Sequence, residues 1–283
     1  MCIRDRARAG SRSEALESIE QALAEDPTQS KDWLSYANLL HQEGEMSKAL
    51  DAADKCLELD RQNGGAWALS ATILAPKQNR LKEALKAAVH AVALDAGGVD
   101  LILLKADLLL AEGSATAAEE SLTKALEKDM MNGELRARIA TRHLLDGRPD
   151  DAQKLLDETP VGIDHALLHV VEGRLHLVNA DKQRDGTGET DATLLSVAIS
   201  AFEGALKLNR ELGVAWLGMA RTNRLLRNLD AAEEALTRAR RLLPEDDSSA
   251  AAEAALLSLD PVSYTHLRAH ETRGNLVCRL LLE

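Results

Sequence analysis

Residues 33–60, WLSYANLLHQEGEMSKALDAADKCLELD, carry the pattern that decides the fold. A tryptophan stands four residues before Ala37, a glycine follows seven residues after it, and three small residues come next at Ala49, Ala53 and Cys56. Steps of four and three place side chains on one face of an α-helix, and a glycine favours the backbone conformation that ends a helix. The stretch therefore predicts two short amphipathic helices joined by a tight turn, with small residues where the helices cross.

The same pattern recurs along the chain at intervals of 34 or 35 residues, apart from one interval of 46. The second helix of each pair contributes a series of small residues that begins at Ala15, Ala49, Ala84, Ala118, Ala152, Ala198 and Ala232. The first helix contributes Ala37, Ala71, Ala106, Ala140, Gly173 and Ala220. One pair of short helices cannot bury its own apolar face, so neighbouring pairs must stack.

This combination of tryptophan, small residues, turn glycine and period resembles the tetratricopeptide repeat family. The resemblance covers nearly all of residues 7–260 and implies an all-α fold, an α-solenoid in which stacked helix-turn-helix repeats form a right-handed superhelix. Six full repeats are expected at about 30–63, 64–98, 99–132, 133–163, 164–212 and 213–246, with half repeats at 7–29 and 247–260. The 164–212 repeat holds extra polar residues, so we expect a solvated loop over about 179–192.

Both ends of the chain depart from this pattern. Residues 1–6, MCIRDR, and residues 261–283, which are rich in His and Arg, can be written as codons that resemble a sequencing-library adapter in frame. We therefore expect both segments to be adapter-derived and the true N-terminus to be missing. Each segment has a net charge of +1, so the stretch between them has a charge of −14, compared with −12 for the whole chain.

The composition restricts the classes of protein. Aromatic residues make up only 2% of the chain and hydrophobic residues 45%, so the core must consist mainly of Ala and Leu, which suits closely packed helices. An acidic chain repels phosphate, so we do not expect nucleic acid as a partner. No apolar run reaches the ~18 residues of a membrane helix, and three scattered cysteines form neither a disulfide framework nor a zinc site. A cytoplasmic location is favoured.

The residues between the two ends contain no catalytic motif. G-x-S-x-G, C-x-x-C and H-E-x-x-H are all missing there, and no nucleophile has a supporting base. The sequence therefore predicts a non-catalytic scaffold, without a cofactor, that binds another protein or a peptide. The alternative is that the chain is the regulatory or substrate-docking arm of a larger enzyme, for example a transferase, whose catalytic domain lies beyond the ends of this sequence.

One histidine-rich segment could bind a metal ion. Within residues 164–176, DHALLHVVEGRLH, the residues His165, His169, Glu172 and His176 share one helix face. Two histidines one turn apart with a carboxylate can ligate a metal. His169, Glu172 and His176 also align with repeat positions that normally pack apolar or aromatic groups, which favours imidazoles that replace aromatic rings and have hydrogen-bonded partners. We expect no metal site, and metal binding by these four residues is the alternative.

The resemblance also implies where a partner binds. In tetratricopeptide arrays the first helices line a concave groove, faced by the residues one and four places after the Ala37-type position. With Arg138, which points the same way, the candidate partner-binding residues are Asn38, His41, Arg138, Thr141, Arg174, Arg221 and Arg224. Arginines gathered on an acidic chain suit an acidic or carboxylate-bearing peptide, through forked hydrogen bonds. Ordinary solvated arginines, each paired with a nearby Asp or Glu, would give the same sequence pattern.

Overall fold

The computed structural model describes the backbone of residues 3–187 and 191–243, and the side chains of residues 14–77, 79–184 and 191–243. This described part of the chain is all-α, which confirms the predicted fold class: it contains thirteen α-helices, one short 3-10 helix and no β-strand. The expected half repeat at 247–260 and the expected adapter-derived segment at 261–283 lie outside the described residues.

The first compact unit, Met1–Asp129, is a stack of helical hairpins. Its helices are α1 (Ile3–Glu25), α2 (Ser30–Gln42), α3 (Met46–Leu59), α4 (Gly64–Leu74), α5 (Leu81–Ala93), α6 (Gly98–Ala111) and α7 (Ala115–Lys128), with the 3-10 helix at Gln78–Arg80. The hairpins α2–α3, α4–α5 and α6–α7 follow one another, and each contacts the next, α3 against α4 and α5 against α6. The first helix α2 also contacts the first helix α4, as expected for stacked repeats.

The second compact unit, Met130–Glu283, has the same construction. Its described helices are α8 (Gly133–Leu145), α9 (Pro149–Asp157), α10 (Ala166–Thr187), α11 (Ala192–Leu208), α12 (Gly213–Leu225) and α13 (Leu229–Leu242). They form the hairpins α8–α9, α10–α11 and α12–α13. The first helices contact each other in series, α8 against α10 and α10 against α12, so one face of this unit consists of these three helices.

The small residues of both series form the contacts between helices. Ala37, Ala71 and Ala140 are fully buried, and so are the second-helix residues Ala84 and Ala232. Leucines fill the space between them, and the single phenylalanine, Phe202, is also fully buried. An Ala- and Leu-rich core with closely approaching helices is therefore what the sequence predicted from its low aromatic content.

Left-handed backbone ends several of the first helices. Gly44, Gly113 and Gly147 have φ values of 82°, 87° and 70° in the turn between the two helices of a hairpin. Gly10 precedes Ala15 by five residues, as Gly44 precedes Ala49, but it lies inside the uninterrupted helix α1 and not in a turn. One interior glycine costs a helix about 1 kcal/mol. The surrounding Ala, Arg and Glu residues favour a helix strongly enough to offset that cost.

The loop expected over about 179–192 is helical as far as Thr187, so that prediction was wrong for most of its length. Residues 179–184, NADKQR, are mostly good helix formers, and Asp181 pairs with Arg184 one turn later at 3.4 Å. The extra residues therefore lengthen α10 to 22 residues. Helix α9 is short by contrast: it has nine residues and ends at Asp157, before Pro160.

No helix in the described ranges combines the length and the apolar character that crossing a membrane requires.

Candidate binding surface

Several arginines of the second unit lie where α10 meets α12. Asp181 on α10 accepts a hydrogen bond of 2.8 Å from Nη2 of Arg221 on α12. The other carboxylate oxygen of Asp181 is 3.4 Å from Nη1 of Arg184, one turn further along α10. Arg221 and Arg184 remain 52% and 42% exposed, so both guanidinium groups can be reached from solvent.

Arg224 is the most buried cation of this cluster. Burial lowers the pKa of its guanidinium, and the positive charges of Arg221 and Arg184 lower it further, whereas Asp181 acts in the opposite direction. We call Asp181, Arg184, Arg221 and Arg224 the arginine cluster. Asp181 contacts the guanidinium groups of Arg184 and Arg221, and Arg224 lies close enough to be affected by the charges of all three. Guanidinium groups that lie close together are chemically suited to bind an anion.

The structure brings together two of the seven residues that the sequence pattern selected, Arg221 and Arg224. Arg138, which is exposed, and Thr141, which is half-buried, lie on α8, and Arg174 is half-buried on α10. Arg138 and Arg174 each interact with other residues. Asn38 and His41 lie on α2 in the first unit, Asn38 exposed and His41 half-buried.

Sequence reasoning missed Arg184 and Asp181 because both were placed in a loop. The signal was present: residues 174, 177, 181 and 184 are spaced by three and four, which continues one face of a single helix. The polar character of the segment suggested a solvated loop, but a polar segment of good helix formers can equally extend an existing helix.

The three tryptophans have a structural role. Their indole Nε1–H groups donate to the backbone oxygen six residues earlier, at Pro27, Arg61 and Arg210, over 2.8, 3.0 and 2.9 Å. Each therefore fastens the first helix of a repeat to the turn before it. In two repeats a side chain of the second helix packs on the indole. His90 of α5 stacks on Trp67 with ring centroids 4.8 Å apart, and Cζ of Arg238 of α13 lies 4.4 Å from the centre of the Trp216 ring.

His169 occupies on α10 the repeat position that the three tryptophans hold on α2, α4 and α12. Its Nε2 is 2.9 Å from Oδ1 of Asp164, and its Nδ1 is 3.6 Å from Oε2 of Glu172. A Cβ built at Gly204 of α11 would lie 3.3 Å from the same Nδ1, so the imidazole packs on the second helix as the indoles do. The favoured interpretation, an imidazole in place of an aromatic ring with a hydrogen-bonded partner, fits this geometry. Across the described residues, no three or more His, Cys, Asp or Glu side chains are arranged to hold a metal ion.

Cys56 lies in the core of the first unit, packed with Ala66 and against Trp67. Burial raises the pKa of its thiol, and the nearby Asp60 raises it further. A buried, protonated thiol is a poor nucleophile, so Cys56 contributes to packing rather than to chemistry.

Comparisons with known proteins agree with the repeat architecture. Residues 33–63 and residues 109–161 each match a family model described as tetratricopeptide repeat. Within these two segments the chain consists of tetratricopeptide repeats. No match is found among curated proteins by sequence.

Solved structures show the same tetratricopeptide repeat fold at low identity. The chain resembles a tetratricopeptide repeat protein from Parabacteroides merdae ATCC 43184 with a TM-score of 0.63 and 13% identity, over 90% of this chain and 95% of that one. It also resembles the APC/C hetero-tetramer Cut9-Hcn1, with a TM-score of 0.56 and 17% identity over 89% of this chain and 50% of that one. A human IFIT1 dimer with m7Gppp-AAAA gives a TM-score of 0.54 and 17% identity, over 91% and 66% of the two chains. The chain thus spans half to two thirds of the length of the chains in the last two structures.

The tetratricopeptide repeat register assigns α2, α4, α6, α8, α10 and α12 as first helices of their repeats. The arginine cluster therefore lies on two adjacent first helices, α10 and α12. Tetratricopeptide repeat proteins are generally non-catalytic scaffolds for interactions between proteins, and their stacked helices present an extended surface for a partner.

Proposed function

We propose that this tetratricopeptide repeat protein is a non-catalytic interaction scaffold, which binds a peptide or helix of a protein partner along the first helices α8, α10 and α12. The arginine cluster takes a carboxylate of that partner. The observation that carries this proposal is that Asp181 joins Arg184 of α10 to Arg221 of α12, with Arg224 beside them.

The chemistry of the cluster favours a carboxylate over a neutral group. A guanidinium presents paired N–H donors that match the two oxygens of a carboxylate, and such charge-assisted bonds are about twice as strong as neutral ones. Nη2 of Arg221 donates to Asp181, and Arg221 remains 52% exposed, so a partner can reach its guanidinium. A second carboxylate, from an Asp, Glu or C-terminus of the partner, would relieve the repulsion that the neighbouring arginines exert on Arg224.

A protein partner is preferred to a nucleic acid. Guanidinium groups also bind phosphate, and the human IFIT1 structure of the same fold is described with m7Gppp-AAAA. The present chain has a net charge of −12, however, and an acidic surface around a small cationic cluster opposes a long polyanion more than a peptide with a few carboxylates.

The test uses a fluorescein-labelled peptide of alternating Glu and Ala residues, with a Gln-for-Glu peptide as its neutral counterpart. Fluorescence anisotropy should show saturable binding of the Glu peptide and at least about tenfold weaker binding of the Gln peptide. Arg221→Glu should weaken binding of the Glu peptide by a similar factor. Asp181→Asn should strengthen it, because that substitution removes the competing carboxylate.

Arg61→Glu is the matched control, since Arg61 is an exposed arginine of the first unit. Equal effects of Arg61→Glu and Arg221→Glu would show that binding follows net charge and would contradict the proposal. Tighter binding of an adenosine oligonucleotide than of the Glu peptide, with the same dependence on Arg221, would replace the protein partner with a nucleic acid.

A further inference from the structure

A cavity of about 600 Å³ lies between α9 and α10. Its walls are the end of α9, the segment that follows it, and the face of α10 that carries His165, His169, Glu172 and His176. The cavity exists because α9 is short. The second helices α3, α5, α7 and α13 have 13 or 14 residues, whereas α9 stops after nine, before Pro160.

The short helix explains an otherwise odd residue. Glu172 occupies a position that the repeat normally fills with an apolar side chain, yet it is 46% exposed. A carboxylate can stay hydrated there because no further turn of α9 covers it. The polar residues of this face are therefore not a defect of the core but the wall of an open cavity.

The cavity is acidic. Asp157, Asp164 and Glu172 contribute carboxylates to its lining, and no Lys or Arg is among the lining residues. The remaining titratable groups are the imidazoles of His165, His169 and His176. Because the lining holds three carboxylates and neither Lys nor Arg, the cavity attracts a cation.

Glu172 has a carboxylate oxygen that the ring of His169 does not reach. Nε2 of His169 lies 2.9 Å from Oδ1 of Asp164, whereas its Nδ1 lies 3.6 Å from Oε2 of Glu172, beyond hydrogen-bond distance. Oε2 of Glu172 can therefore accept a hydrogen bond from a donor placed in the cavity. In addition, Nδ1 of His176, in the same cavity wall, is buried and has no hydrogen-bond partner among the described residues.

We propose that this cavity binds the basic side chain of a protein partner, an arginine in particular. A guanidinium supplies several N–H donors in one plane, which match the oxygens of Glu172 and of a second carboxylate of the lining. The site is distinct from the arginine cluster and opposite to it in charge, and it stands whether or not the arginine cluster binds a carboxylate.

The test titrates the full chain with the tripeptide acetyl-Gly-Arg-Gly-amide and, as a neutral isostere, the same peptide with citrulline. The Cε1–H signals of the histidine rings are followed by NMR. The signals of His169 and His176 should shift saturably with the arginine peptide and not with the citrulline peptide. Those of His41 and His90, in the first unit, should not move.

Glu172→Gln should weaken binding of the arginine peptide about tenfold, as expected for the loss of one hydrogen bond to a charged group. Glu127→Gln, which removes an exposed carboxylate of α7, is the matched control and should leave the affinity unchanged. No saturable shift at 10 mM peptide, equal responses to arginine and citrulline, or equal effects of the two substitutions would each overturn the proposal. Any of these results would mean that His169 satisfies Asp164 and Glu172 without an external cation.

Discussion

Gly173 of α10 lies directly against the ring of Phe202 of α11: a Cβ built at position 173 would be 2.7 Å from both Cε1 and Cζ. Gly218 of α12 approaches the same ring from the other side, where a Cβ would overlap it. Phe202 stands at the position that Ala53 and Ala88 hold in earlier repeats. Two glycines thus make room for the one phenylalanine of the chain.

Gly173→Ala should destabilise the second unit by about 1–3 kcal/mol, because the new methyl group overlaps a fully buried ring that cannot leave its place without moving α12. Alanine favours a helix over glycine by about 1 kcal/mol, so helix propensity alone would make Gly173→Ala more stable. Urea unfolding followed by circular dichroism gives the free energy, and hydrogen exchange of α10–α12 shows where the loss lies.

The double variant Gly173→Ala/Phe202→Leu is the control. Leucine is smaller and flexible, so the two substitutions together should cost at least about 1 kcal/mol less than the sum of their separate costs. Strict additivity would show that residues 173 and 202 do not compete for the same space.

Much of the fold could be predicted because helices that approach closely tolerate only small side chains at the contact. The Ala37 and Ala49 series are visible in the sequence for this reason, and the structure buries both except for Ala15, which is half-buried. The tryptophans could be placed in the same way, since an indole that packs on a helix and donates to a preceding turn leaves a fixed spacing of six residues.

The remaining features depend on partners distant in sequence. The extension of α10 is supported by the contact of Asp181 with Arg221, 40 residues further on, which no local pattern indicates. The open cavity beside Glu172 depends on the early end of α9, and its size is set by two helices together. The sequence shows Pro160, but it does not show which face of α10 the missing turn would have covered.

Arg227 is strained where other repeats have glycine. It ends α12 with a φ of 60°, in the position that Gly44, Gly113 and Gly147 hold elsewhere. A side chain in left-handed backbone costs about 1 kcal/mol, so Arg227→Gly should raise the free energy of unfolding by roughly 0.5–1 kcal/mol. Gly147→Ala, at a φ of 70° with open space around it, should lower it by a similar amount. A loss of stability in Arg227→Gly, measured by urea unfolding, would contradict this account.

Asp191 makes the stability of α11 depend on pH. It caps this helix and accepts hydrogen bonds from the hydroxyl and the backbone N–H of Thr193, which lower the pKa of its carboxyl. Because the folded pKa lies below the unfolded one, the stabilisation is complete above the unfolded value, near 4, and is lost as pH falls through the folded value. Asp191→Ala should therefore lower the unfolding midpoint at pH 7, and the difference from the parent chain should vanish towards pH 2.

Asp191→Asn separates capping from charge. Asparagine caps a helix about as well as aspartate but does not titrate, so its unfolding midpoint should stay close to that of the parent chain at pH 7. A gap between Asp191→Ala and the parent chain that persists unchanged at pH 2 would show that the ionised carboxylate is not what stabilises α11.

Asp181 holds the arginine cluster together, and its removal should reveal the repulsion among the guanidinium groups. Asp181→Asn leaves Arg184, Arg221 and Arg224 without the carboxylate that now contacts the first two, so it should cost about 1 kcal/mol of stability at low salt. The loss should shrink as NaCl is raised from about 10 mM to 1 M, because ions screen repulsion between exposed charges. Asp51→Asn, on the exposed face of α3, is the matched control and should show no such loss. Thermal unfolding at several salt concentrations measures both variants, and a salt-independent loss in Asp181→Asn would mean that Asp181 acts through packing rather than through charge.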